Sequence, residues 1–187
     1  IIIYGTSIQQ GGCASRTGMV PSAMIQRDFN LECVNLATSG QARMDFYIAE
    51  AMASIEDAIC YVIDPVPNCT KDRCDTATYD FINILRTLRP EVPIVMVEGL
   101  MYPYTRHDSY HAEYLPQKNE CFRRGFDQHV AENPKGMYYM THEGQTGPDM
   151  EGTVDGVHLT DYGFRAYADL LEIVVKEALD DTDVDYD

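Results

Sequence analysis

Five residues whose types serve in acyl-transfer chemistry follow apolar segments of this chain. They are Ser7, Gly40, Asn68, Asp155 and His158. A serine hydroxyl becomes a nucleophile when a histidine takes its proton, and a carboxylate can orient that histidine. Main-chain N–H groups beside a glycine and a side-chain amide can donate hydrogen bonds to a developing oxyanion. The chain therefore contains the parts of an acyl-transfer site.

Each of these residues also has an ordinary structural alternative. Serine, glycine and asparagine are common in turns. His158 precedes Leu159-Thr160, where the N-cap of a helix is expected. The chemistry therefore depends on whether the fold brings the five residues together.

The elements that must position these residues alternate between strand and helix. The first predicted strand is the apolar run that ends at Gly5, and the others cover residues 32–37, 57–63, 93–98 and 136–141. Predicted helices cover residues 17–29, 45–55, 76–88, 115–133 and 161–179, and long loops cover residues 100–114 and 142–158. Five such alternations indicate right-handed βαβ units around a parallel sheet.

The predicted fold is α/β: a three-layer α/β/α sandwich around a five-stranded parallel sheet in the flavodoxin-like order 2-1-3-4-5. In an open sheet of this kind, ligands bind beyond the carboxyl ends of the strands. Because the candidate residues follow those ends, we expect them to share one edge of the sheet.

Composition narrows the classes of function. The chain has 187 residues, 45% of them hydrophobic, and a formal net charge of −16. Such a charge repels phosphate backbones, so we expect no nucleic-acid partner. No apolar run has the ~20 residues that a membrane span needs. We predict one domain over residues 1–180, followed by an acidic tail over residues 181–187.

The six cysteines leave the redox environment open. Cys69 and Cys74 share one polar loop, where a disulfide bond is one alternative, and it would favour an extracytoplasmic location. A zinc site is disfavoured there, because a C-x4-C spacing without a second close pair fits known ligand patterns poorly. The localisation of the protein is otherwise unknown from its sequence.

The order of the candidate residues resembles the four sequence blocks of the SGNH/GDSL hydrolase family. Those blocks are similar to residues 4–8 (YGTSI), 35–40 (NLATSG), 64–68 (DPVPN) and 155–158 (DGVH). Each block is short, but all four occur in order, each after its predicted strand, and the resemblance covers essentially the whole chain.

The resemblance implies a serine hydrolase that needs no metal and no cofactor. Ser7 would be the nucleophile, His158 the base, and Asp155 the carboxylate that holds the imidazole. The main-chain N–H groups of Ser7 and Gly40 and the side-chain amide of Asn68 would form the oxyanion hole.

The stretch IIIYGTSIQQGGCASRTGM, with YVIDPVPN later, is similar to a bacterial branch of SGNH esterases. In that branch the domain often follows an N-terminal β-rich domain, so we expect one upstream of Ile1. Thr6 stands where the GDSL motif has aspartate, and the third block lacks the Gly-x-Asn-Asp form. Gln9 occupies the second glycine position of a Gly-x-Ser-x-Gly elbow, which argues against the α/β-hydrolase fold.

A tyrosine-rich segment after the fourth predicted strand suggests the substrate. Tyr102, Tyr104 and Arg106 suit a sugar or aryl ester better than a long acyl chain, so we expect a short O-acyl ester, such as an acetyl ester of carbohydrate. The alternative for this loop is a surface segment whose tyrosines pack on one another.

Other functions remain open from the sequence. A lipase or lysophospholipase would act on long acyl chains. The same fold could instead bind carbohydrate without catalysis, or bind phosphate or FMN at Gly11-Gly12. The oligomeric state is unknown, and the expected partner is a small-molecule or carbohydrate ester.

Overall fold

The computed structural model describes residues 1–182 and has a parallel sheet at its centre. The strands are β1 (Ile2–Gly5), β2 (Val34–Asn35), β3 (Tyr61–Asp64), β4 (Ile94–Val97) and β5 (Met137–Met140). Their order is β2-β1-β3-β4-β5, and every neighbouring pair is parallel. The predicted α/β fold and its flavodoxin-like strand order are therefore confirmed.

Helices cover both faces of the sheet. They are α1 (Ser7–Gln10), α2 (Pro21–Phe29), α3 (Phe46–Ala53), α4 (Lys71–Leu88), α5 (Ser109–Glu132) and α6 (Asp161–Asp180). Successive strand side chains point to opposite faces, so Ile3 packs with residues of α2 and α6. Ile2 and Tyr4 pack on the other face with residues of α3, α4 and α5. The result is two apolar cores and three layers.

The segment after β1 differs from its prediction. Residues 7–10 were expected in a turn and loop, but they form α1, which Thr6 caps and which ends at Gly11 with a φ of 92°. The helix predicted from residue 17 begins at Pro21, after a short 3₁₀ helix (Thr17–Met19). Proline suits the first helical position because its missing N–H would have no partner there.

The loop predicted over residues 100–114 is partly wrong. A 3₁₀ helix covers Pro103–Arg106, and α5 begins at Ser109 rather than at residue 115. Asp108 caps α5, since its carboxylate accepts from the His111 N–H at 3.1 Å. Pro116 lies inside α5, where it lacks the N–H that an interior position normally donates. The sequence signal of this helix is therefore weak at its start.

All six cysteines are free thiols. Cys69 and Cys74 are both buried, and the Cys69 thiol donates to the Ala42 carbonyl at 3.5 Å. Cys69 and Cys74 flank Thr70, the N-cap of α4, at the two positions that often pack as a hydrophobic staple. The two cysteines are therefore close in the sequence because they mark the start of a helix. The structure contains no disulfide bond between them.

The C-terminal region is described as far as Thr182. The Tyr138 hydroxyl donates to the carboxylate of Asp181, so the beginning of the predicted acidic tail lies against β5. The rest of that tail, residues 183–187, lies outside the described residues. Within residues 1–182, no helix has both the length and the apolar composition to cross a bilayer.

Candidate active site

Ser7 is placed by the turn that joins β1 to α1. Thr6 has an extended backbone, and its hydroxyl accepts from the Ile8 N–H at 3.3 Å, which caps α1 and makes Ser7 its first residue. The carbonyl of Ser7 accepts from the Gly12 N–H at 2.8 Å. The Ser7 side chain therefore stands at the carboxyl end of β1, as predicted.

Ser7, His158 and Asp155 form a continuous hydrogen-bonded chain. Ser7 Oγ lies 2.9 Å from His158 Nε2, although 151 positions separate the two residues. His158 Nδ1 lies 2.7 Å from Asp155 Oδ2. The structure thus brings together all three residues predicted for a triad, in the order that serine deprotonation requires.

The Asp155–His158 pair is fixed by its own turn. Asp155 Oδ1 accepts from the main-chain N–H groups of Val157 at 2.9 Å and His158 at 2.7 Å. The hydrogen bond from His158, followed by these two main-chain bonds, holds the pKa of Asp155 well below its usual range. The carboxylate therefore stays ionised while it orients the ring.

The helix that follows His158 anchors this turn in the core. Leu159 is fully buried, and Thr160 caps α6 by accepting from the Gly163 N–H at 3.2 Å. The N-cap is therefore Thr160, and the capping alternative for His158 does not apply. His158 remains free to face Ser7.

Gly12 lies against the His158 ring, a contact that sequence reasoning missed. A Cβ at Gly12 would lie 3.3 Å from His158 Cδ2 and 3.1 Å from the carbonyl oxygen of Ser7. From the sequence, the Gly11-Gly12 pair is a candidate only for binding phosphate or FMN. In the structure, the second glycine allows the backbone to approach the histidine closely.

Gly40 and Asn68 belong to neighbouring loops at the same edge of the sheet. Gly40 is exposed and has a φ of 71°, a backbone conformation that glycine adopts without strain. Asn68 ends a 3₁₀ helix (Val66–Asn68), and its Oδ1 accepts from the Ala42 N–H at 3.3 Å. This bond ties the two loops together, and Asn68 Nδ2 has no hydrogen-bond acceptor among residues 1–182.

A buried polar cluster beneath α1 was not predicted. The Gln9 amide donates to Asp64 Oδ2 at 3.0 Å and to the Tyr167 hydroxyl at 2.6 Å. The Tyr167 hydroxyl donates to the same Asp64 oxygen at 2.8 Å. Burial raises the pKa of Asp64 to about 7, although the hydrogen bonds from Tyr167 and Gln9 act to lower it. The only sequence signal was an aspartate at the end of an apolar strand.

The tyrosine-rich segment packs beside the Asp155–His158 turn. The Tyr104 ring stacks on Tyr102, with 5.4 Å between ring centroids. A Cβ at Gly156 would lie 3.1 Å from Tyr104 Cδ1. Tyr102 is only 7% exposed and belongs to the core, so little of its ring can reach a ligand. Arg106 is exposed and makes no ion pair with another residue of the described chain.

Two further histidines are held at Nδ1 by a carboxylate. Asp108 Oδ2 lies 2.6 Å from His111 Nδ1, and Glu98 Oε2 lies 2.7 Å from His142 Nδ1. Asp108-x-x-His111 even repeats the spacing and the main-chain bond of the Asp155 turn. Among residues 1–182, only His158 has a serine hydroxyl at its other nitrogen, and that contact distinguishes the candidate active site.

Comparison with known proteins identifies the family of this chain. The chain matches the GDSL-like Lipase/Acylhydrolase family over residues 1–176. No curated protein matches it. A solved protein of Bacteroides ovatus ATCC 8483, named as a GDSL-like lipase, is similar with a TM-score of 0.90 and 31% identity. That alignment covers 96% of this chain and 53% of the other protein.

More distant solved structures share the fold. The salicylyl-acyltransferase SsfX3 of a tetracycline biosynthetic pathway has a TM-score of 0.74 at 17% identity, over 94% of this chain and 53% of that protein. A family two carbohydrate esterase of Clostridium thermocellum, solved with cellohexaose, has a TM-score of 0.71 at 16% identity, over 97% of this chain and 65% of that protein. This chain thus spans about half the length of the first two of these three proteins.

The match over residues 1–176, together with the similarity to the Bacteroides ovatus protein, shows that this chain belongs to the GDSL-like lipase and acylhydrolase family.

Proposed function

We propose that this chain is a serine esterase that hydrolyses short O-acyl esters, acetyl esters of carbohydrate above all. The observation that carries the proposal is the hydrogen-bonded chain from Ser7 Oγ through His158 to Asp155, with distances of 2.9 Å and 2.7 Å. Membership of the family supports hydrolysis of an ester. The acyl group and the alcohol are inferred from the surroundings of the site.

Ser7 is the nucleophile of the proposed reaction. As Ser7 Oγ attacks the ester carbonyl, its proton passes to His158 Nε2, and the carbonyl electron pair moves onto oxygen. Collapse of this intermediate breaks the bond to the alcohol, which takes the proton from His158. Water then attacks the acyl-serine with His158 as base again, and the acid leaves. Asp155 holds the imidazole and offsets its positive charge at each proton transfer.

Ser7, Gly40 and Asn68 are the proposed donors to the oxyanion. The hydrogen bond from Ala42 occupies Asn68 Oδ1 and leaves Nδ2 as a donor. The main-chain N–H groups of Ser7 and Gly40 complete the set. One donor of this kind is worth ~3 kcal/mol of transition-state stabilisation in a hydrolase.

The surroundings of the triad favour a compact, polar substrate. Tyr104 stands beside the Asp155–His158 turn, and exposed Arg106 follows it. A tyrosine ring with a polar tip and a free guanidinium suit the alternating apolar and hydroxyl surfaces of a sugar. A carbohydrate esterase of the same fold, solved with cellohexaose, supports this inference. Tyr102 contributes by supporting the Tyr104 ring.

The decisive experiment compares Ser7→Ala with Ser54→Ala. Ser54 is an exposed serine at the end of α3, whose hydroxyl donates to the Ala51 carbonyl at 2.7 Å. We expect Ser7→Ala to lower kcat on a short-chain nitrophenyl ester by about 10⁶-fold, the scale for a triad serine, and Ser54→Ala to behave as wild type. Equal loss in both variants, or no loss in Ser7→Ala, would refute the proposal.

The substrate is tested with acetylated sugars and with nitrophenyl esters of increasing chain length. We expect the rate to fall as the acyl chain lengthens, and acetylated sugars to compete with a fluorophosphonate probe for Ser7. Faster hydrolysis of long chains would favour the lipase alternative. Failure of the probe to label Ser7 would favour a module that binds carbohydrate without catalysis.

A further inference from the structure

Cys13 lies beside the Asp155–His158 pair and has no part in the proposed reaction. One ligand atom from each residue, the Cys13 thiol sulfur, an Asp155 carboxylate oxygen and a His158 ring nitrogen, lies within 4.8 Å of the other two. The Cys13 side chain is exposed. We propose that these three side chains form a binding site for a thiophilic divalent cation, such as Zn²⁺ or Cd²⁺, and that the bound cation inhibits the enzyme.

The donor set fits such a cation chemically. Thiolate, imidazole and carboxylate are the three side-chain donors that bind Zn²⁺ in proteins, at about 2.0–2.3 Å. Donor atoms of a tetrahedral site are therefore about 3.3–3.8 Å apart. The three ligand atoms already lie within 4.8 Å of one another, so none of the separations has to shorten by more than about 1 Å. The thiolate and carboxylate charges balance the cation, and water can reach the exposed fourth position. Mg²⁺ and Ca²⁺ prefer all-oxygen sites.

Cys13 belongs to a turn that is fixed to the site. The Gly12 N–H donates to the Ser7 carbonyl at 2.8 Å, and the Ala14 N–H donates to the Gly11 carbonyl at 3.1 Å. The next residue, Ser15, donates its main-chain N–H to Asp161 at the start of α6 at 2.9 Å. The sulfur is therefore held near the base from both ends of its turn.

The Asp155 side of the site is also preformed. The carboxylate is oriented by the main-chain N–H groups of Val157 and His158, and those bonds use Oδ1. Among the described residues 1–182, Oδ2 bonds only to the His158 ring. A cation between the ring and Asp155 would replace that single bond, with release of the displaced protons to solvent.

A bound cation blocks the base whichever ring nitrogen of His158 it occupies. A cation on His158 Nε2 occupies the lone pair that accepts the Ser7 proton. A cation on Nδ1 replaces the hydrogen bond to Asp155 that sets the tautomer. In both arrangements the base is lost, so bound metal and ester hydrolysis exclude each other. The inhibitory part of this inference rests on the proposed function, whereas the binding site itself does not.

Metal binding is tested first, without any substrate. The reduced, chelator-treated protein is titrated with Cd²⁺, and the thiolate-to-Cd²⁺ charge-transfer absorption is recorded. Cys13→Ser and Cys13→Gly remove the sulfur, and the glycine variant suits the φ of 74° at this position. Cys33→Ser is the matched control, because Cys33 is the half-buried cysteine. We expect the absorption to persist in Cys33→Ser and to be lost in both Cys13 variants.

Persistence of the absorption in the Cys13 variants would overturn the site. A second check uses His158→Ala, in which we expect Cd²⁺ affinity to fall by about tenfold or more, since even a supporting residue of a metal site is worth that much. Unchanged affinity in His158→Ala would show a lone thiol rather than the proposed cluster.

Inhibition is then tested with Zn²⁺ and a short-chain ester. We expect Zn²⁺ to inhibit wild type and Cys33→Ser alike, with full recovery on chelation. In Cys13→Ser, whose metal-free rate should equal that of wild type, the half-inhibiting concentration should rise by about tenfold or more. Equal inhibition of Cys13→Ser would overturn the inhibitory role. If no variant hydrolyses any ester, the proposed function fails, and the Cd²⁺ titration still decides the site.

Discussion

The Gln9 amide donates to the Asp64 carboxylate at 3.0 Å inside the protein, and Tyr167 donates to the same oxygen at 2.8 Å. Gln9 belongs to α1, which begins at Ser7, Asp64 ends β3, and Tyr167 belongs to α6. The cluster therefore ties the helix of the proposed nucleophile to the helix that follows His158. Because burial raises the pKa of Asp64 to about 7, this carboxyl changes charge near neutral pH.

We expect Asp64→Asn to reduce the pH dependence of stability. The folded pKa of about 7 exceeds the reference value of 3.8, so between these values the folded state binds more protons than the unfolded state. The stability that this extra proton binding by Asp64 contributes is fully present below the pKa of the unfolded state. It is lost as pH rises through the folded pKa of about 7. Urea unfolding at roughly pH 5 and roughly pH 8 measures the difference. The exposed variant Asp57→Asn should keep the wild-type dependence; the same dependence in Asp64→Asn would contradict the assignment.

Asp155→Asn tests the carboxylate that orients His158. The amide cannot offset the charge of the imidazolium and favours the wrong tautomer, so we expect kcat to fall by about 10⁴-fold. Asp108→Asn is an internal control, because Asp108 holds His111 in the same way, but no serine hydroxyl within residues 1–182 bonds to the His111 ring. That variant should retain kcat within about twofold, since surface changes away from the site have small effects. Steady-state kinetics of both variants on a nitrophenyl ester shows on which of the two Asp–His pairs the activity depends.

Asn68→Asp tests the oxyanion hole. Aspartate keeps the acceptor for the Ala42 N–H but removes the donor and adds negative charge where the oxyanion would form. We expect kcat to fall by about 10²–10³-fold or more, with the fold retained. Asn83→Asp adds the same charge at an exposed position of α4 and should leave kcat unchanged. A wild-type rate in Asn68→Asp would remove Asn68 from the proposed site.

Gly12→Ala tests the close approach of the backbone to His158. The added Cβ would lie 3.3 Å from His158 Cδ2, so the ring must move by a few tenths of an ångström. Because small displacements of catalytic groups are costly, we expect kcat to fall by about ten- to a hundredfold with little change in Tm. In Gly18→Ala the added Cβ has one neighbour within 4 Å, Arg27 Nη1 at 3.6 Å, and normal activity is expected. Equal rates in the two variants would show that the ring tolerates the contact.

The sheet and the Asp155–His158 turn were predictable because their determinants are local. Ile1 to Gly5 is an apolar run that ends in glycine, and four similar runs alternate with helical patterns. Right-handed βαβ connections leave few topologies for such a pattern. Asp-x-x-His is likewise a local device, since its hydrogen bonds form within one turn.

Other features depend on contacts that no local pattern reveals. Asp108-x-x-His111 and Asp155-x-x-His158 look alike in the sequence, and only proximity to Ser7 separates them. Gln9, Asp64 and Tyr167 meet from three distant segments. Tyr102 was expected to face substrate but is buried in the core, where the Tyr104 ring stacks on it.

The hydrogen bond between Ser7 and His158 joins residues 151 positions apart, and this separation has a consequence for folding. β1 lies between β2 and β3 in the finished sheet, so Ser7 can be in place long before the segment that contains His158 has been added. Bringing together residues so far apart in the sequence costs loop-closure entropy, so we expect this contact to be among the last to form. Labelling of the proposed nucleophile Ser7 by a fluorophosphonate probe during refolding should therefore report when α6 docks rather than when β1 forms. A lag between recovery of helical signal and recovery of labelling would measure that final step.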